Sequence, residues 1–146
     1  MNFLDSLSIS STGLHAQRVR MNLISSNMAN VNTTRTESGE PYKRKDVVFE
    51  TVQTASFEQI LDDRLDKTAG GVQVAEIVED TNPFLQKFDP QHPDADENGY
   101  VRLPNINIVE EMVNMISASR SFQANATAVK TTKEMASMAL EIGRNS

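Results

Sequence analysis

The chain has 146 residues, a formal net charge of −6 and no cysteine. That length allows one domain with a core, or a small domain flanked by extended helices. The acidic balance argues against nucleic acid or an anionic membrane surface as partner, and the missing thiols exclude disulfides, thiol catalysis and thiolate metal sites.

The first element predicted is an amphipathic helix from 3 to about 31. Leu7, Leu14, Met21 and Met28 recur every seven residues, with Phe3, Ile24 and Val31 on the adjacent row, where Ser10 and Gln17 interrupt. Its opening Met1-Asn2-Phe3-Leu4-Asp5 lacks the basic and apolar regions of an ordinary secretory signal, so passage out of the cytoplasm would need another exporter. The serine-rich stretch around Gly13 is a predicted point of fraying or breakage. Asn27, Asn30 and Asn32 supply side chains that compete with helical hydrogen bonds and so predict the exit turn.

Heptad spacing then disappears. Glu37-Ser38-Gly39-Glu40-Pro41 reads as a turn. The basic run Tyr42-Lys43-Arg44-Lys45 is short and reads as a solvated strand end. Residues 45–54 are rich in Val, Phe and Thr and predict a strand. Residues 56–67 read as a short helix or an insertion, and Gly70-Gly71 as a break. Residues 72–79 alternate Val72, Val74 and Val78 against Ala75 and Ile77, which predicts a strand with at least one buried face; residues 84–88 are its candidate partner. Residues 89–99 predict a loop, and 100–103 lead into the last element.

That element is one long helix. Ile108, Met112, Met115, Ser119, Phe122, Ala126, Val129, Lys133, Ala136 and Leu140 follow at spacings of four and three, a coiled-coil seam broken at Ser119 and Lys133. Asn107 is the predicted cap with Glu110 three residues on, and Gly143 the predicted stop. At about 1.5 Å per residue the helix would be roughly 55 Å long and would need a partner along its seam. The fold class expected is α+β, with long N- and C-terminal helices pairing as an antiparallel coiled-coil-like unit around a small β-rich insert. The predicted segments are 1–34, 35–105 (with the insertion near 56–67) and 106–146. From pattern alone the seams could close a monomeric bundle, drive self-assembly or form a dimeric coiled coil.

Three chemical readings compete with plain structure. Asp94, Asp96 and Asn98 followed by Gly99 match the first half of a calcium loop, but Asn105 stands where a bidentate Glu is needed, so a tight Asx-type turn is the better reading. Asp5-Ser6-Leu7 matches the attachment tripeptide of carrier proteins, yet only four residues precede it, and Ser6 reads better as a first-turn helix residue. His15 and His92 have no partner at a recognisable spacing. No catalytic constellation, cofactor or metal site is predicted.

Ser25-Ser26-Asn27-Met28-Ala29-Asn30-Val31-Asn32-Thr33-Thr34, and the long stretch from Asn105-Ile106-Asn107-Ile108-Val109-Glu110-Glu111-Met112 through Ser121-Phe122-Gln123-Ala124-Asn125, resemble the two signatures of the bacterial flagellar axial (rod and hook) protein family. Pro41-Tyr42-Lys43-Arg44-Lys45 and the segment 89–101 are similar to its proximal rod members in particular. The resemblance implies a non-enzymatic subunit of the flagellar basal-body rod, exported by the flagellar type III apparatus and polymerising in the periplasm into the shaft that carries torque from motor to hook. It implies as partners other copies of the chain, other rod proteins and the export apparatus, with no nucleic acid and no small-molecule substrate. It assigns Asn27, Asn30 and Asn32 to the turn out of the first helix. Leu7, Leu14, Met21, Met28, Met112, Met115, Ile116, Phe122 and Val129 fall in helix packing within and between subunits. Glu110, Glu111, Arg120 and Asn125 are assigned to polar inter-subunit or helix-turn contacts.

Overall fold

A computed structural model describes residues 3–53 and 69–144 of the chain; the expected insertion near 56–67 lies outside them. Helix α1 spans Phe3–Ala29, strands β1 to β4 span Lys45–Gln53, Ala69–Glu79, Leu85–Phe88 and Tyr100–Leu103, and helix α2 spans Ile108–Arg144. The architecture is α+β. Two long helices pair, and a β insert of two two-stranded sheets lies between them in sequence, β1 with β2 and β3 with β4.

The helices run antiparallel. Gly13 of α1 lies beside Asn125 of α2, and Asn27 lies beside Glu111. Fourteen residues separate the positions on each helix, so the two advance in step. Continuing that register brings the start of α1 opposite roughly residue 135 of α2. The last two turns of α2 therefore extend past α1, and residues 137–144 are all exposed.

α1 is continuous through Gly13, against the break expected there. A side chain at this position would lie 2.8 Å from the Asn125 amide, so glycine lets the helices approach while neighbouring turns keep the ladder intact. α1 also has two partners, since both β1 and β2 pack on it as well as α2. Its exposed positions form one stripe, 4, 8, 11, 15, 18, 22, 25 and 29, with Asp5 beside it in the first turn, and its other described positions are buried or half-buried. That is why its apolar periodicity is weak: a helix covered on two flanks needs no single narrow apolar seam, and its heptad Leu7, Leu14, Met21 and Met28 is only half-buried.

The β1–β2 hairpin runs antiparallel from the pair Lys45–Glu79 to the pair Gln53–Ala69, with register shifts that leave Ala75 and Gly70 as bulge residues. Gly70 and Gly71 thus lie inside β2 instead of breaking the chain. Gly71 has φ +137°, and a Cβ there would come within 2.6 Å of Thr12 Oγ1. The Thr12 hydroxyl donates to Ile9 O and accepts from Val72 N, at 2.8 and 3.2 Å, which pins the start of β2 to α1.

β3 pairs with β4, not with β2 as expected. The loop between them explains the change. Asp96 Oδ1 accepts the N–H groups of Asn98 and Tyr100 at 2.9 and 2.8 Å, an Asx turn that folds Tyr100 back beside Phe88. Gly99 takes φ +80° against Phe88 and Pro90. The segment read as a possible half calcium loop is this turn.

α2 is capped by Asn107, whose Oδ1 accepts from Val109 N at 3.0 Å and Glu110 N at 3.5 Å. It runs through Gly143 to Arg144, so Gly143 does not stop it. Its covered side follows 111, 115, 118, 122, 125, 129, 132 and 136. Half of the expected seam is there: Met115, Phe122, Val129 and Ala136. The other row lies one residue earlier, so Glu111, Ala118, Asn125 and Thr132 face α1, and Met112, Ala126 and Lys133 are exposed, with Ser119 half-buried. Hydrophobicity favoured Met112 over Glu111; the packing favours Ala118, fully buried at 0% exposure, and a charge that finds its own partners.

Candidate assembly surface

Where α1 ends, β1 begins and α2 begins, one buried polar cluster holds the three together. Asn27 and Glu111 are each 1% exposed. The Asn27 amide donates to Lys45 O at 2.8 Å and to Glu111 Oε2 at 3.1 Å. Its carbonyl oxygen accepts Lys45 N at 3.0 Å and the Tyr42 hydroxyl at 3.0 Å. All four hydrogen-bonding positions of the side chain are used. The other Glu111 oxygen accepts Arg44 Nε at 2.8 Å, and Arg44 Nη1 reaches Asp46 at 3.2 Å. Burial works against the guanidinium's charge, but the bonds and fields of Glu111 and Asp46 outweigh it and raise the Arg44 pKa above its ordinary value.

This cluster corrects one expectation. Tyr42, Arg44 and Lys45 are not merely a solvated strand end, because they close the cluster on Asn27 and Glu111. Glu111 makes its contacts with the turn residue Asn27 and with Arg44. It stands one residue before the expected seam position Met112, so the apolar pattern gave no signal for its burial. Asn30 lies where α1 gives way to the turn, with its amide donating to Ser26 O at 2.9 Å and its oxygen accepting the Thr33 hydroxyl at 3.1 Å. Asn32 is exposed.

Leu7, Leu14, Met21 and Met28 are half-buried on α1; Met115, Phe122 and Val129 are half-buried on the inner side of α2. Asn125 is half-buried beside Gly13, and Glu110 and Arg120 are exposed. Met112 and Ile116 stand apart from the packed set at 50% and 53% exposure. With Ile108, Val109 and Val113 they form one apolar flank at the start of α2, spaced as adjacent rows of a helix. A second group, Met135, Met138 and Leu140, is exposed near the overhanging end. Among the described elements α2 packs only on α1, and Glu111 and Ala118 are its only buried residues. A 37-residue helix with one partner and an apolar residue bare at each end is an unfinished packing arrangement.

No helix of the described residues is long and apolar enough to cross a membrane. Residues 7–35 match the family model described as flagella basal body rod protein, and residues 97–142 match that of the flagellar basal body rod FlgEFG protein C-terminal. The chain is 46% identical to the flagellar basal-body rod protein FlgC of Borreliella burgdorferi, over 97% of this chain and 98% of that one. It is 43% identical to FlgC of Bacillus subtilis and 38% identical to FlgC of Salmonella typhimurium, in both over 99% of this chain and 100% of the relative.

Proposed function

The chain belongs to the FlgC family of flagellar basal-body rod proteins, and we propose that it is a structural subunit of the rod which polymerises through the faces of its terminal helices left bare in the subunit. The observation that supports this most is the outer side of α2. Ile108, Val109, Met112, Val113 and Ile116 lie 46–69% exposed on one flank. Covering the exposed part of each would contribute about 1 kcal/mol, or about 5 kcal/mol for the group. Association costs about 4–15 kcal/mol in lost freedom. One such contact cannot hold two subunits together, whereas several made at once within a lattice can.

In this reading α1 and the buried cluster fix the angle between helices and insert, and α2 supplies the contacts with other copies and with other rod proteins. The subunit reaches the periplasm through the flagellar type III export apparatus, transmits torque by packing alone, and catalyses nothing. The test is the double substitution Met112→Ser, Ile116→Ser. The purified variant should melt within about 2 °C of the parent, because both side chains already face water. Cells carrying it should lose swimming, and the protein should be absent from isolated basal bodies. Normal incorporation would place the assembly surface elsewhere.

A further inference from the structure

A second surface without a partner lies away from the helices. β3 and β4 make an isolated two-stranded ribbon, which is marginal in water without something packed on it. One face is anchored inward by Val101, 2% exposed. The other carries Phe84, Phe88, Tyr100 and Arg102. The Phe88 ring meets Tyr100 edge-on at 5.3 Å between centroids, and Arg102 lies 6.0 Å above Phe84. Aromatic and guanidinium groups are the residues most enriched at interface centres.

Beside this face opens a cleft of about 340 Å³, between the ribbon, the segment after α1 and the loop bearing Asp94 and Asp96. Arg35 and Arg102 both line it. Among the described residues neither guanidinium forms an ion pair. Each carboxylate of the cleft holds a partner within the chain. Asp94 Oδ2 accepts the Thr34 hydroxyl at 2.8 Å, and Asp96 Oδ1 accepts its two turn N–H groups. The cleft thus offers two guanidinium groups without an ion-pair partner beside two carboxylates that keep their charge.

We propose that this cleft receives a carboxylate side chain from a neighbouring protein subunit of the rod, while Phe88 and Tyr100 cover the apolar residues flanking that carboxylate. Planar guanidinium groups suit a carboxylate in paired hydrogen bonds. The adjoining aromatic face favours a protein segment over a free anion, which would leave those rings uncovered. The proposal rests on the reading of the chain as a rod subunit, and it adds a contact that the α2 faces do not supply.

The test joins charge reversal to cross-linking in basal bodies assembled from the full chain. Arg35→Glu with Arg102→Glu should abolish swimming and lower incorporation at least tenfold. Arg35→Lys with Arg102→Lys should keep most of it, and both purified proteins should melt within about 2 °C of the parent because the two sites are exposed. A photo-cross-linking residue at Tyr100 should capture a peptide containing Asp or Glu, and reversing that acid to Lys should restore swimming to the double-Glu variant. A photo-cross-linker at Val113 reports the α2 face separately. Cross-linking at Val113 without any at Tyr100 overturns this proposal alone; cross-linking at neither overturns the assembly reading as well. Swimming unaffected by the double-Glu change, a capture of glycan, lipid or a peptide lacking an acid, no rescue by the reversed acid, or a fall in melting temperature above about 5 °C would each also overturn the proposal.

Discussion

Asn27 does with one side chain what a neighbouring strand would do: it offers Lys45 both an acceptor for its N–H and a donor for its C=O. Removing it strands those two groups and one oxygen of a buried glutamate. Asn27→Ala should therefore lower stability by about 2–4 kcal/mol, since each buried group left unsatisfied costs about 1–3 kcal/mol and some admit water. A urea titration of the purified chain reads this directly. Glu111 and Arg44 make a different prediction, because a broken pair is worse than an absent one. Glu111→Leu alone should cost about 3 kcal/mol by leaving Arg44 short of its main partner, and Arg44→Met added to it should recover at least about 1 kcal/mol. Because the Arg44 pKa is raised, its contribution is present throughout the neutral range and is lost only as strongly alkaline pH passes its folded value.

At the scale of elements, the tight contact between α1 and Asn125 of α2 is set by what is missing at Gly13. Gly13→Ala gains helix propensity of about 1 kcal/mol but presses on the movable end of Asn125, so its net effect should stay within about 1 kcal/mol of zero. Gly13→Leu cannot be absorbed that way and should destabilise the hairpin by about 1–3 kcal/mol, read as a lower midpoint of helix unfolding by circular dichroism. Phe122→Ala should cost about 2 kcal/mol in the same assay, less than the 3–5 kcal/mol of a fully buried Phe because the ring is half-exposed. The existence of both helices, their antiparallel pairing and the strands β1 and β2 were legible, because period and β-branched content report them; the pairing of β1 with β2 was not, since residues 84–88 stood as the partner of β2. The exact facing of α2 was not. Its inner row holds the polar residues Glu111, Asn125 and Thr132, and the burial of Glu111 depends on partners 84 residues away at Asn27 and 67 away at Arg44. The β3–β4 pairing was hidden for a similar reason: it depends on one Asx turn and on Gly99 at positive φ, not on the composition of the strands.

At the scale of the molecule, the subunit is a layered rod of β hairpin, α1 and α2, with α1 covered on two flanks and α2 on one. The middle helix is the more covered of the two, and the outer helix is the one with a long apolar face left bare. The overhanging end of α2 carries Met138 and Leu140 at 59% and 76% exposure, beyond any reach of α1, and the flank at its start carries Val113 at 60%. The native chain has no cysteine, so a single thiol introduced by substitution reports its own surroundings without background. The most direct measurement is the maleimide labelling rate of Val113→Cys and Met138→Cys in the purified subunit and in isolated basal bodies, with Asn98→Cys in the exposed loop as a third reporter. Assembly through the bare faces of α2 predicts rapid labelling of both helix thiols in the free subunit and at least tenfold slower labelling in the basal body. Equal rates in the two states at 113 and 138 would mean that these faces stay in water after assembly, and the account would be contradicted.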